Sequence, residues 1–158
     1  MAITDGLYVV NPANKGAPRV INHTTSTLSV VPSAHEGRLI YLNRAGGIAV
    51  TLPPATGTGD KYEFVVGATF TGAATIKVVG DDIMKGTAVL FLDGGDTVAG
   101  FATAADSDTI DMLGTANSTG GISGASYILQ DVLADTWAVR IVSDAGGTEA
   151  TPFSASVS

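Results

Sequence analysis

The chain contains no cysteine. That excludes a disulfide framework, a thiol nucleophile and any cysteine-ligated zinc site. Aromatic residues are scarce, with five Phe, four Tyr and one Trp in 158 residues. Charged residues make up 15%, against roughly 25% in an average soluble domain. The longest apolar runs, such as Ala88 to Leu92, fall far short of the ~20 residues that a membrane-spanning helix needs. The opening residues Met1-Ala2-Ile3-Thr4-Asp5-Gly6 lack the basic and apolar regions of a secretory signal. A soluble chain made in a cytoplasm is therefore expected.

Basic residues are few and scattered. Eight Lys and Arg stand against fifteen Asp and Glu, for a net charge of −7 and a pI near 4.4. Lys15, Arg19, Arg38, Arg44, Lys61, Lys77, Lys85 and Arg140 all stand alone. Nucleic-acid binding relies on clustered cations that displace counterions, so DNA, RNA and anionic membrane surfaces are not expected partners. Apolar residues reach 45% and mean hydropathy is +0.32, the reverse of a disordered composition. The length suits one domain with a sizeable core. Low charge in a free domain has two readings. Much of the surface is covered by copies or a larger partner, or the composition is that of an Ala-, Val- and Gly-rich β domain.

What is present is period-two patterning, broken by Gly, Asn, Asp and Pro. Leu28 and Val30 share a face, as do Ile48, Val50 and Leu52, then Tyr62, Phe64 and Val66. Ala45-Gly46-Gly47 is expected to close a hairpin between Arg38–Asn43 and Ile48–Leu52. Pro53-Pro54 ends the second of these strands. Further strands are expected at Thr75–Val79, Ala88–Leu92, Thr97–Ala102, Thr109–Leu113 and Phe153–Val157. A hairpin joins Ser126–Leu133 to Trp137–Val142 through Ala134-Asp135-Thr136. No segment carries a capped helical stripe. About ten to twelve short strands predict an all-β fold, an antiparallel β-sandwich or a barrel-like form, the β-tulip included. Residues 1–18 precede the regular pattern and are expected to be an N-terminal arm. Residues 19–158 then form a single β domain, with a loose tail around Asp144–Glu149.

Chemical constellations are thin. His23 and His35 with Glu36 lack metal-type spacing. Gly121-Ile122-Ser123-Gly124 misses the spacing of a nucleophile elbow and suits a turn. Asp106-Ser107-Asp108-Thr109-Ile110-Asp111 lacks the glycine and distal glutamate of a calcium loop. It suits a strand with Asp and Thr toward solvent and Ile110 inward. Asp93-Gly94-Gly95-Asp96 suits a hairpin turn. Gly57-Thr58-Gly59-Asp60-Lys61 has neither the length nor the following helix of a phosphate loop. No metal, cofactor or catalytic residue is therefore assigned, and a hydrolase using Asp108 or Asp111 with His35 has no visible geometry to support it.

The stretch PRVINHTTSTLSVVPSAHEGRLIYLNRAGGIAVTLPPATGTGDKYEFVVG, residues 18–67, forms a recognisable unit. Its LPPATGTG turn and following aromatic strand, with Gly80-Asp81-Asp82-Ile83-Met84 and the Tyr127 and Trp137 segments, resemble head-decoration (cement) proteins of tailed bacteriophages. The resemblance runs from about Pro18 to Val142. It implies a non-enzymatic homotrimer on the capsid exterior that clamps neighbouring major capsid subunits and stabilises the expanded head. It brings no catalytic residues. Ile3, Leu7, Tyr8, Val9 and Val10 are the candidate capsid or inter-subunit contacts, an extended apolar stretch suited to strand addition. Equally, Leu7–Val10 could be the first strand of the domain. The LPPATGTG turn also occurs in phage tail and fibre modules, so the alternative is an adhesion module binding host glycan, with Tyr8, Tyr41, Tyr62, Tyr127 and Trp137 as the available aromatics.

Overall fold

Alternating apolar residues leave each strand with one dry face, and two such faces must meet. A computed structural model describes residues 19–92, 95–114 and 116–157. The expected arm, with Ile3, Leu7, Tyr8, Val9 and Val10, lies outside the described residues. The first half of the domain holds β1 Val20–His23, β2 Thr27–Ser29, β3 Leu39–Leu42, β4 Ala49–Thr51, β5 Lys61–Val66 and β6 Ala74–Lys77. The second holds β7 Ile83–Leu92, β8 Thr97–Ala102, β9 Thr109–Met112, β10 Ser126–Leu133, β11 Thr136–Asp144 and β12 Phe153–Ser154. One short helix, α1 Pro32–His35, starts at a proline that suits a first helical turn.

The strands form two sheets, a larger one ordered β1-β3-β5-β10-β11-β7-β8 and a smaller one ordered β12-β9-β6-β4-β2. The fold is all-β and sandwich-like, with both sheets mixed. The core lies between them. Ile40, Leu42, Tyr62, Phe64, Tyr127, Leu129 and Trp137 come from the larger sheet and Val50, Ile76, Ile110 and Met112 from the smaller, and all are buried. The Tyr62 and Trp137 rings pack with centroids 5.8 Å apart.

Pairing departs from the antiparallel expectation. β1, β3 and β5 are parallel neighbours in the larger sheet. β2, β4 and β6 are parallel neighbours in the smaller. From β1 to β6 the chain thus passes from one sheet to the other at every strand, winding as a coil. Parallel neighbours need a crossover, and here each crossover includes a strand of the facing sheet. The successive turns differ in length, since Val20 faces Leu39 while Leu39 faces Glu63. The second half contains the true hairpins, β7–β8 and β10–β11. β11 then lies parallel to β7.

Ala45-Gly46-Gly47 consequently does not close a hairpin. It carries the chain from β3 in one sheet to β4 in the other. The Arg44 guanidinium hydrogen-bonds the Gly47 carbonyl and tightens the corner. The next crossover stacks on it, with Thr71 N–H donating to the Ala45 carbonyl at 2.7 Å. A Cβ on Gly72 would lie 2.4 Å from the Gly46 carbonyl oxygen, and one on Gly47 would lie 2.1 Å from that of Ala73. Backbone stacks on backbone at this end of the sandwich, and only glycine permits the approach.

The tail beyond β11 has no regular structure until β12, yet its backbone is tied down. Ala145 N–H donates to the Phe91 carbonyl, Gly146 N–H to that of Asn117 and Ala150 N–H to that of Ser118. Gly72→Ala should lower stability by roughly 1–3 kcal/mol, the usual cost of forcing a methyl into filled space. Urea denaturation measures this, and an unchanged midpoint would show that the crossovers do not touch.

Candidate functional site

Buried carboxylates are costly unless hydrogen-bonded. Asp82, Asp108 and Asp131 are 5%, 3% and 2% exposed, so their partners reveal what they do. Asp131 sits near the end of β10, beside the LPPATGTG loop. Its carboxylate accepts the N–H groups of Thr56 at 2.9 Å, Gly57 at 2.6 Å and Thr58 at 3.1 Å. The Thr58 hydroxyl donates to it at 2.9 Å. Its backbone joins in, accepting from Gly59 N–H and donating to the Asp60 carbonyl, both at 2.9 Å. The loop is therefore an anion cradle of convergent N–H groups, and its anion is a side chain of the same chain. Burial works to raise the Asp131 pKa. The hydrogen bonds from Thr56, Gly57 and Thr58 outweigh it and hold the carboxyl below the usual range.

Asp82 does similar work one residue upstream in the loop. It accepts Ala55 N–H at 2.7 Å and the Trp137 indole N–H at 3.3 Å. The two carboxylates thus fasten the crossing from β4 to β5 onto β10 and β11. The glycine- and threonine-rich composition of the loop follows. Positive φ at Gly57 and Gly59 turns the N–H groups inward, and Thr58 adds its hydroxyl.

Asp108 holds the C-terminus. It accepts Ser156 N–H at 2.7 Å, Val157 N–H at 3.0 Å and the Thr109 hydroxyl at 2.7 Å. Asp108 and Thr109 are therefore buried, which corrects the expectation that they face solvent. The cause is the terminal segment, which packs over them when β12 pairs with β9. Ile110 does point inward. Gly80, Asp81, Asp82, Ile83, Asp106 and Asp108 line a depression of about 130 Å³. Two of its four aspartates are those already occupied by N–H donors. Among the described residues no group of three or more His, Asp or Glu is arranged to hold a metal ion.

The remaining candidates have local partners. His35 Nδ1 lies 3.0 Å from Val31 N–H. His23 Nε2 lies 3.0 Å from the Thr25 hydroxyl. The Asp111 carboxylate takes the Ser154 hydroxyl. Ser123 donates its hydroxyl to the Gly67 carbonyl at 2.9 Å, in a turn where Gly121 and Gly124 both have positive φ. Of the aromatics available to a glycan platform, Tyr62, Tyr127 and Trp137 are fully buried, Tyr41 is half-buried and Tyr8 lies outside the described residues. Burial raises the Tyr62 phenol pKa far above its ordinary value, with the Asp60 and Glu36 carboxylates adding to it. Burial lifts that of Tyr127 to about 12, although Ser143 and Gly121 oppose it. Neither phenol is placed for acid–base work near neutrality.

Both sheets meet solvent on their outer faces, the smaller through Thr27, Ser29 and Thr51 and the larger as follows. Tyr41, Val65, Ser126, Val142, Val89 and Gly100 form one row across neighbouring strands. Val20, Leu39, Glu63, Ile128, Arg140 and Thr87 form the next. Phe91 and Val98 pair at the β7–β8 end. Val20, Val98 and Val142 are each more than half exposed. A solvated sheet face normally alternates to polar residues; here the row of Lys61, Gln130, Ala138 and Lys85 does so, and the exposed apolar side chains gather in the row of Val65, Val142 and Val89 and at Val98. The shortage of charge in the sequence does not by itself say which face lacks it. Scans of the chain against protein-family models, curated proteins and solved structures find no match.

Asp131→Ala should cost about 1–3 kcal/mol, because three loop N–H groups lose a charged acceptor and turn to water instead. Asp131→Asn should cost less. The low native pKa also sets a pH dependence. Its contribution is complete above the unfolded value of about 3.9 and is lost as pH falls through the native value. Wild-type stability should therefore drop more steeply below about pH 4 than that of Asp131→Asn. Parallel acid titrations of the two proteins would contradict the cradle.

Proposed function

We propose that this protein covers and cements a larger assembly, as a trimeric decoration protein on the outside of a tailed-phage capsid. The observation that carries the reading is the outer face of the larger sheet. Its exposed Val89, Val98 and Val142 form an apolar band among polar rows, an area that a neighbour would cover. The resemblance of residues 18–67 to cement proteins supplies the kind of neighbour, the major capsid subunits of an expanded head. The carboxylates that might have signalled chemistry are occupied in holding loops, which agrees with a role in contact rather than turnover.

The physical action is mass action. A protein that binds the expanded shell and not its unexpanded or dissociated forms stabilises the expanded state. A trimer engages several subunits at once, so modest individual contacts suffice. The net charge of −7 disfavours adhesion to the packaged genome. Host-glycan adhesion, the alternative, has no observation of its own in its favour once three of its five aromatics lie in the core.

Purified protein added to undecorated expanded heads of its phage should bind saturably and raise the temperature at which they release DNA. Unexpanded heads should bind at least tenfold less. Equal binding to both forms, or none to either, would overturn the reading.

A further inference from the structure

Strand register sorts the apolar band and its surroundings into three rows. The central row is Val65, Ser126, Val142, Val89 and Gly100. On one side lie Glu63, Ile128, Arg140, Thr87 and Ala102, and on the other Asp144, Phe91 and Val98. β11 crosses all three, so its outward side chains Arg140, Val142 and Asp144 stand in a line. Arg140 and Val142 are exposed and Asp144 is partly so. Among the described residues, neither the Arg140 guanidinium nor the Asp144 carboxylate has a hydrogen-bond or ion-pair partner.

This pattern is complementary to itself. A two-fold axis lying along the central row reverses the strand direction and sets each strand over its own copy. Val142 and Val89 then meet their own images. Arg140 meets the second copy's Asp144, and Asp144 meets that copy's Arg140, so both unpaired charges gain a partner. Stacked sheets lie about 10 Å apart, a gap that an arginine and a carboxylate span together. The neighbours fit as well. Phe91 faces Thr87 and Val98 faces Ala102, so large side chains meet smaller ones. Glu63 is the remaining charge in the three rows, and its counterpart two residues beyond Val65 is Gly67, so no like charges meet. The strands β5, β10, β11, β7 and β8, ~4.8 Å apart, and three rows ~6.8 Å apart give roughly 500 Å² per copy. The total of about 1,000 Å² is at the low end for a specific contact.

We infer that a second copy of this chain docks on the outer face of the larger sheet, about a two-fold axis through Val142 and Val89, with Arg140 of each copy paired to Asp144 of the other. Such a contact is isologous and closes with two copies. Its small area makes it reversible, and its opposite charges fix the register. The pairing depends on the face alone and not on the capsid reading. It is a state of the free protein, and a capsid subunit that takes the same band displaces the second copy.

Charge reversal tests the pairing without touching the core, because Arg140 and Asp144 both lie on the outer face. Arg140→Asp alone sets acid against acid across the axis, and Asp144→Arg alone sets base against base. Each variant should self-associate about tenfold or more weakly than the wild type in sedimentation equilibrium, since like charges in place of opposite ones cost affinity. Circular dichroism should not change. An equimolar mixture of the two variants should recover association, because the copy with two acids meets the copy with two bases. Both variants stay net negative, as one reversal moves the chain's charge of −7 by only two, so overall charge does not drive the mixing. The chain carrying both reversals should associate about as well as the wild type, its pairs kept with their members exchanged. A wild-type mass that does not rise with concentration, a rise that either single reversal leaves unchanged, or a mixture that associates no better than its components would overturn the inference. Capsid binding enters none of these readings.

Discussion

The carboxylate of Asp131 is the point on which the first half of the fold depends. It draws in three successive backbone N–H groups of the LPPATGTG loop. Those groups have no strand partner, because the loop is where the chain leaves the smaller sheet and enters the larger. The loop residues Thr56–Gly59 lie at the surface, and it is the buried Asp131 carboxylate that needs their N–H groups. With these bonds made, the loop closes on β10, Asp82 closes the adjoining turn against Trp137, and the coil of β1 to β6 is fixed against the hairpins of the second half.

This bears directly on function. A glycine-rich loop with convergent N–H groups looks, in sequence, like a place for a ligand's phosphate or carboxylate. Here the ligand is built in. The same holds for Asp108, whose acceptors are filled by the C-terminal segment. The buried carboxylates are turned inward to hold loops, and the outward surface of the larger sheet carries an apolar band of Val142, Val89 and Val98 between polar rows.

Strands were legible where one face is dry. Tyr62, Phe64 and Val66 announce β5, and Trp137, Val139 and Ile141 announce β11, because period two survives whenever a single face is buried. The β10–β11 hairpin was legible from its turn, where Asp135 takes a positive φ. Pairing was not. Alternation says which residues face the core but not which sheet a strand joins, and a Gly-Gly corner is the same signal whether it reverses in the plane or crosses between sheets. The staples were hidden for a related reason. Asp131 and its donors stand 73 to 75 residues apart, so no local motif records them. The apolar band on the outer face was foreshadowed only in bulk, as a shortage of charge. Its location needed the strand order, since Val142 and Val89 become neighbours only when β11 lies beside β7.

Hydrogen exchange followed residue by residue tests the central claim most directly. If the loop is occupied from within, the amides of Thr56, Gly57 and Thr58 are strongly protected although their residues lie at the surface, and Asp131→Ala abolishes that protection. Rapid exchange at Thr56–Thr58 in the wild type, as in an open loop awaiting a ligand, would contradict the account.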